Sequence, residues 1–346
     1  MKTMKYGVWK KSILATVAAS LVFLSGCEPS GSCQPEDPGC SALPQAFLLT
    51  KVPGRCKYLN FSFEVNPATA TQGWNAVQFG IDRFVAVSST GTPDRSMTAI
   101  DGKTWVDGGL GVGGAFIDLA EGNGRIVILG NGGANQLYTS IDALTWTARS
   151  PTAANQWQSI AFGNGRFVAV SRDGTNRAMS SSDGISWSAS APPAFEYRSI
   201  TFGNGMFVAV DSTAGVVIRS FDGVNWEQYS APEVNYWKAI AFGDGIFVAV
   251  ARDGVSRIMV SRNGKDWFAR TSPEQNEWQD IVFANGKFVA VARTGTNPIM
   301  TSSDANTWIG QGAPEANSWN GMGFHNDRIV AVASAGTNLT MTGTCQ

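Results

Sequence analysis

Seven times from residue 74 onward the chain repeats one pattern of about forty residues, and any fold must bury every copy in the same way. The copies open at Trp74, Phe116, Trp157, Tyr197, Trp237, Trp278 and Trp319, in steps of 40 to 42 residues. Within a copy the order is constant. The third runs Trp157-Gln-Ser-Ile-Ala-Phe162, Gly163-Asn164-Gly165, Arg166-Phe-Val-Ala-Val170, a loop through Asn176, a short strand through Met179, and Ser181-Ser-Asp183-Gly184-Ile-Ser-Trp187. Asn-Gly between two apolar runs is a hairpin signal, because both central residues must take positive φ. It recurs at Asn123-Gly124, Asn164-Gly165, Asn204-Gly205 and Asn285-Gly286, with Asp244-Gly245 as its equivalent.

The second strand of each copy, as in Phe207-Val-Ala-Val210 or Phe288-Val-Ala-Val291, is apolar at every position and must be buried on both faces. Four-stranded sheets wedged around an axis provide that burial, whereas a lone sheet leaves one face in water. The expectation is an all-β fold, a seven-bladed propeller of four-stranded antiparallel blades, over residues 56–346. The seventh copy stops at Cys345 after its third strand, and Lys57–Val65 alternates like a strand without a blade of its own. Residues 57–65 are therefore expected to form the outer strand of blade seven. Cys56 and Cys345 then fall at neighbouring strand ends and are expected to be bridged, with Cys33 paired to Cys40.

Four lysines precede an uncharged apolar stretch from Ile13 to Leu24, which marks residues 1–26 as a targeting segment. The segment ends in Leu24-Ser25-Gly26-Cys27, which resembles the lipobox of bacterial lipoproteins. That resemblance implies lipidation at Cys27 and a cell-envelope location, on the outer membrane if the source is Gram-negative. Residues 27–55, rich in Pro, Gly and Ser, read as a stalk. Loss of the leader removes four of the 26 basic side chains and none of the 27 acidic ones, so the remainder is acidic by five. No basic field remains to attract nucleic acid, and the membrane is reached through the lipid alone.

The motif closing each copy, Asp101-Gly102-Lys-Thr-Trp105, Asp183-Gly184-Ile-Ser-Trp187, Asp222-Gly223-Val-Asn-Trp226 and Asn263-Gly264-Lys-Asp-Trp267, resembles the Asp-box, or BNR repeat, of sialidase-like propellers. Looser copies end at Trp146 and Trp308, and all are one residue shorter between Asp and Gly than the family pattern. The resemblance implies a structural turn on the face opposite the ligand site. Sialidase chemistry does not carry over: Arg83, Arg125, Arg166 and Arg328 share one repeat slot, and no tyrosine has an active-site context. His325, the one histidine, stands in the glycine slot of a hairpin and reads as an exposed turn residue. No catalytic residue, metal ligand or cofactor is assigned, although carboxylates paired between blades would escape a reading of sequence.

What remains is a surface formed by the loops between strands two and three and by the links between blades. The candidate ligand-binding residues there are Arg172, Arg177, Arg252, Arg257, Arg293, Glu233, Glu274 and Glu315. Blades three, five and six carry Arg where the others carry Ser or Asn, so the channel rim is asymmetric. The expected function is a non-enzymatic binding or scaffold module, monomeric, that holds a protein or glycan ligand on this face. The alternative is a glycoside hydrolase, and the competing reading of the charges is mutual pairing across blades.

Overall fold

The computed structural model describes residues 61–91, 95–131 and 136–345, with Cys345 through its backbone alone. The leader, Cys27, the stalk, Cys33, Cys40 and Cys56 lie outside the described residues. Seven four-stranded antiparallel sheets occupy the described region, each following sequence order except the last. The blades begin at Trp74, Phe116, Trp157, Tyr197, Trp237, Trp278 and Trp319, the seven slots read from sequence. In the last sheet the order from the outside is Phe61–Asn66, Thr340–Cys345, Arg328–Ala333, Trp319–His325. The strand before the first copy thus closes blade seven, pairing antiparallel from Phe61 opposite Cys345 to Asn66 opposite Thr340.

The repeat works because each slot has one physical task. The hairpin residues Asn164 and Gly165 take φ of 47° and 71°, the left-handed pair that matches the twist of the flanking strands. Phe207, Val208, Ala209 and Val210 of the second strand of blade four are fully buried, as the unbroken apolar run requires. Burial of a side chain such as Val or Phe contributes about 1.5–3 kcal/mol, and the run recurs in every blade. The opening tryptophans 74, 157, 237, 278 and 319 are wholly buried, so none offers a stacking platform. At the end of the first strand, a Cβ on Gly203 would lie 2.0 Å from the Phe242 ring of the next blade. Glycine in that slot lets adjacent blades approach to contact.

His325 departs from expectation. It ends the first strand of blade seven, ahead of an Asn326-Asp327 turn, and its ring stacks on Phe79 of blade one with centroids 3.4 Å apart. It is half-buried, and burial lowers its pKa, so it is neutral packing at the seam where blades one to five place glycine and blade six alanine.

Candidate functional site

The first strands surround a central channel, and a bulge sets which of their side chains face it. In each blade the pairing slips after the opening aromatic, as between Trp157 and Ser159. The two residues after the aromatic therefore line the waist: Asn75, Ile117, Asp118, Gln158, Ser159, Arg198, Lys238, Gln279, Asp280 and Asn320 among them. The waist is narrow, with about 70 Å³ of space.

Asp118 and Asp280 reach from one blade to the next. Asp118 accepts from Ser159 Oγ (2.8 Å) and from the Ile160 N–H (3.0 Å) of blade three. Asp280 accepts from its neighbour Ile281 and from the Met322 N–H (2.6 Å) of blade seven. Both clasp the free edges of first strands, whose N–H groups have no ladder partner. Both also sit at the centre of the protein, where burial raises a carboxyl pKa. Burial pushes Asp118 up, and burial with the Asp118 charge pushes Asp280 up to about 7. Lys238 beside them is pushed down to about 8 by burial, opposed by Asp280.

A pH dependence follows. An unfolded Asp280 ionises near pH 4, while the folded one holds its proton to about pH 7. Between these values the folded state binds more protons, so this group makes stability fall as pH rises, levelling above about 7. Urea unfolding of Asp280→Asn should show a flatter decline between pH 4.5 and 7 than the parent chain. Equal slopes would contradict this placement of the proton.

Above the waist, the mouth at the start of the first strands carries a chain of charges. Arg172 and Arg198 flank Glu196 at 3.4 and 3.6 Å. Arg198 also donates to Gln158 Oε1 (2.9 Å) and Ser212 Oγ (3.2 Å). The Tyr236 ring lies between the Arg198 and Arg252 guanidiniums, 5.0 and 5.1 Å from its centroid. Arg252 pairs with Glu277 at 3.2 Å, and Arg293 donates to Asn320 Oδ1 at 2.7 Å. Four guanidiniums thus share two paired carboxylates, while Asp173 and Asp253 of the same loops accept from the Gln156 and Tyr236 N–H groups and pair with none of the four. Burial, then the Arg252 charge, lowers the Arg293 pKa, but a guanidinium stays charged at neutral pH.

The sequence-derived candidates divide. Arg172, Arg252 and Arg293 lie in this arc. Arg177 instead donates to the carbonyls of Gly174, Arg172 and Phe195, and Arg257 to those of Gly254, Arg252, Gln275 and Asn276. These two staple a loop to the following link. Glu233, Glu274 and Glu315 accept from Ser256, Asn297 and Asn338 in the loops of their own blades. Those bonds lower all three pKa values and fix the carboxylates in loop structure. The pairing of Arg172 with Glu196 and of Arg252 with Glu277 joins adjacent blades, through glutamates other than the Glu233, Glu274 and Glu315 that the competing reading set against the arginines. Sequence reasoning missed Arg198, Tyr236, Lys238, Asp118 and Asp280. Their signal was a charged or aromatic residue beside the opening slot in single blades only.

A family model described as the DUF6242 beta propeller domain matches residues 117–236. No curated protein matches the chain. Among solved structures, a streptogramin B lyase superposes with a TM-score of 0.72 at 14% identity, covering 83% of this chain and 98% of that one. A virginiamycin B lyase from Staphylococcus aureus gives 0.71 at 12%, covering 82% and 99%. YCF48 bound to D1 peptide gives 0.64 at 16%, covering 84% and 96%. The likeness is one of fold.

Proposed function

We propose that the chain is a lipid-anchored envelope protein whose propeller binds an anionic ligand, an acidic protein segment or a charged glycan, at the arginine-lined mouth. The observation that carries this is the arc Arg172, Arg198, Arg252 and Arg293 around Tyr236, in which four guanidiniums share only two ion-paired carboxylates, Glu196 and Glu277. Fixed forks held over an aromatic ring suit carboxylate or sulfate groups, and their hydrogen bonds are charge-assisted. The anchoring rests on Leu24-Ser25-Gly26-Cys27. One fold neighbour, YCF48, is described with a bound peptide, which supports a peptide-binding use of such a scaffold. The Asp-box reading draws support from Asp183, which accepts the N–H groups of Ile185 and Ser186 at 2.8 Å.

Hydrolysis is the second reading, and Asp118 with Asp280 in one waist is what favours it. They border the waist of about 70 Å³ and a wider stretch of channel of about 290 Å³, but both carboxylates are already clasped by backbone N–H groups, which leaves neither free to act as acid or nucleophile. Binding is the better use of the site.

The test is an array of acidic peptides and of sialylated, sulfated and uronate glycans, probed with the parent chain and with an Arg198→Ala/Arg252→Ala/Arg293→Ala variant. Each charge-assisted bond contributes about 1.5–3 kcal/mol, so losing three should weaken binding by at least a hundredfold. Undiminished binding by the variant, or capture of neutral ligands alone, would remove the proposal.

A further inference from the structure

On the opposite face, where the hairpins and the Asp-Gly turns lie, a latch recurs at four junctions between adjacent blades. At the junction of blades three and four, Asn164 Nδ2 donates to the carbonyl of Phe221 (3.3 Å) and Arg166 Nη1 to that of Asp222 (2.8 Å). Blade two uses Asn123 on Ser182, with the Arg125 stem packed on Gly184. Blade seven uses Arg328 on the Asp101 carbonyl of blade one. Blade four has Met206 in the arginine slot, and Arg219 of its third strand supplies the guanidinium instead, donating to the Asn263 carbonyl at 2.8 Å.

The junction of blades five and six has none of these donors in the slots that supply them elsewhere. The amide slot holds Asp244, which has no amide to donate, and the arginine slot holds Ile246. Val260, paired with Val248 as Arg219 is with Val208, replaces the substitute guanidinium. Phe268 stands where Glu227 steadies Arg219, and it is 59% exposed. The result is an open crevice of about 480 Å³ with an apolar floor of Ile246 and Val260, walled by Phe268, Asp266 and Asp304, with Arg262 and Arg270 also lining it. Two carboxylates, Asp266 and Asp304, and two guanidiniums, Arg262 and Arg270, line it, so its charge is balanced and the vacant arginine slot, not net charge, selects the occupant.

We propose that this crevice receives an arginine side chain from a partner protein, presented on an extended segment. The arginine would take the place that Arg166, Arg219 and Arg328 fill at three other junctions. Its methylenes lie along Ile246 and Val260, its guanidinium meets the Asp304 carbonyl, and the Phe268 face covers it as in a cation–π contact. The site is independent of the mouth, which lies on the other face and takes anions.

The probes are three capped tripeptides, Ala-Arg-Ala, Ala-Lys-Ala and Ala-Gln-Ala, titrated by NMR into the full chain to about 10 mM, a range suited to a single anchoring side chain. The arginine peptide should saturate, shifting amides around Ile246, Phe268 and Asp304. The lysine peptide should bind at least about fivefold more weakly, lacking the planar fork. Ile246→Arg refills the slot and should weaken arginine-peptide binding more than about tenfold while raising Tm, since the chain supplies its own latch. Phe268→Ala, on the exposed outer strand, should weaken it about threefold to tenfold. Absence of saturable binding, equal affinity for the lysine peptide, or full binding by Ile246→Arg would each overturn the proposal.

Discussion

A chain beginning at Pro67 is expected to lose its cooperative thermal transition, because the strand it lacks ties three blades together. Phe61–Asn66 pairs along its length with Thr340–Cys345. Phe61 is 2% exposed in a core shared with Trp74 and Trp319, and Gln311 of blade six donates to its carbonyl at 3.0 Å. Glu64 is paired with Lys103 of blade one, and Thr340 Oγ donates to the Asn66 carbonyl. Removing a buried Phe alone costs about 3–5 kcal/mol. With the ladder gone as well, the loss rivals the whole stability of a typical domain, about 5–15 kcal/mol. The truncated chain should melt broadly or aggregate through the bared edge of Thr340–Cys345. A synthetic peptide spanning residues 57–66 should restore the transition. A truncated chain melting within a few degrees of the parent would show that the ring does not depend on this strand.

The second large effect is expected at Trp237. It is fully buried between blades, and its Nε1 donates to the Glu233 carbonyl at 3.2 Å, fixing the link that leads into blade five. Trp237→Ala should cost about 3–5 kcal/mol, since a rigid ring of sheets cannot collapse onto the void. For a large single domain this corresponds to a fall in Tm of about 6–15 °C, read by calorimetry. Trp226, in the closing slot and only half-buried, should cost clearly less when changed to Ala. Equal effects at the two positions would contradict the division of labour between the slots.

The architecture was legible in sequence because each slot performs a local task that one residue type does best. Asn164-Gly165 announces its hairpin, Phe207 to Val210 announces burial on both faces, and the missing outer strand of the seventh copy announces Phe61–Asn66. The same regularity hid the site. Arg198 and Lys238 follow Tyr197 and Trp237 in strands that read as ordinary first strands. Nothing in the spacing says that a bulge after the aromatic turns the following residues toward the channel. Arg177 and Arg257 were attractive for the opposite reason, since they sit in exposed-looking loops whose carbonyls take up their donors. The crevice between blades five and six was hidden in a third way. It arises from the residues that Asp244, Ile246 and Val260 are not, and the loss matters only once the latch they replace has been seen at junctions such as that of blades three and four.

The arginine cluster at the channel mouth is the feature on which ligand binding depends. Arginine side-chain NMR, following the Nε–H signals of the full chain during titration with a glutamate-rich peptide, reports on that mouth at atomic resolution. The predicted result is saturable shifts at Arg172, Arg198, Arg252 and Arg293 that weaken steeply with added salt. Shifts confined to the hairpin face, or none at the four arginines, would contradict it.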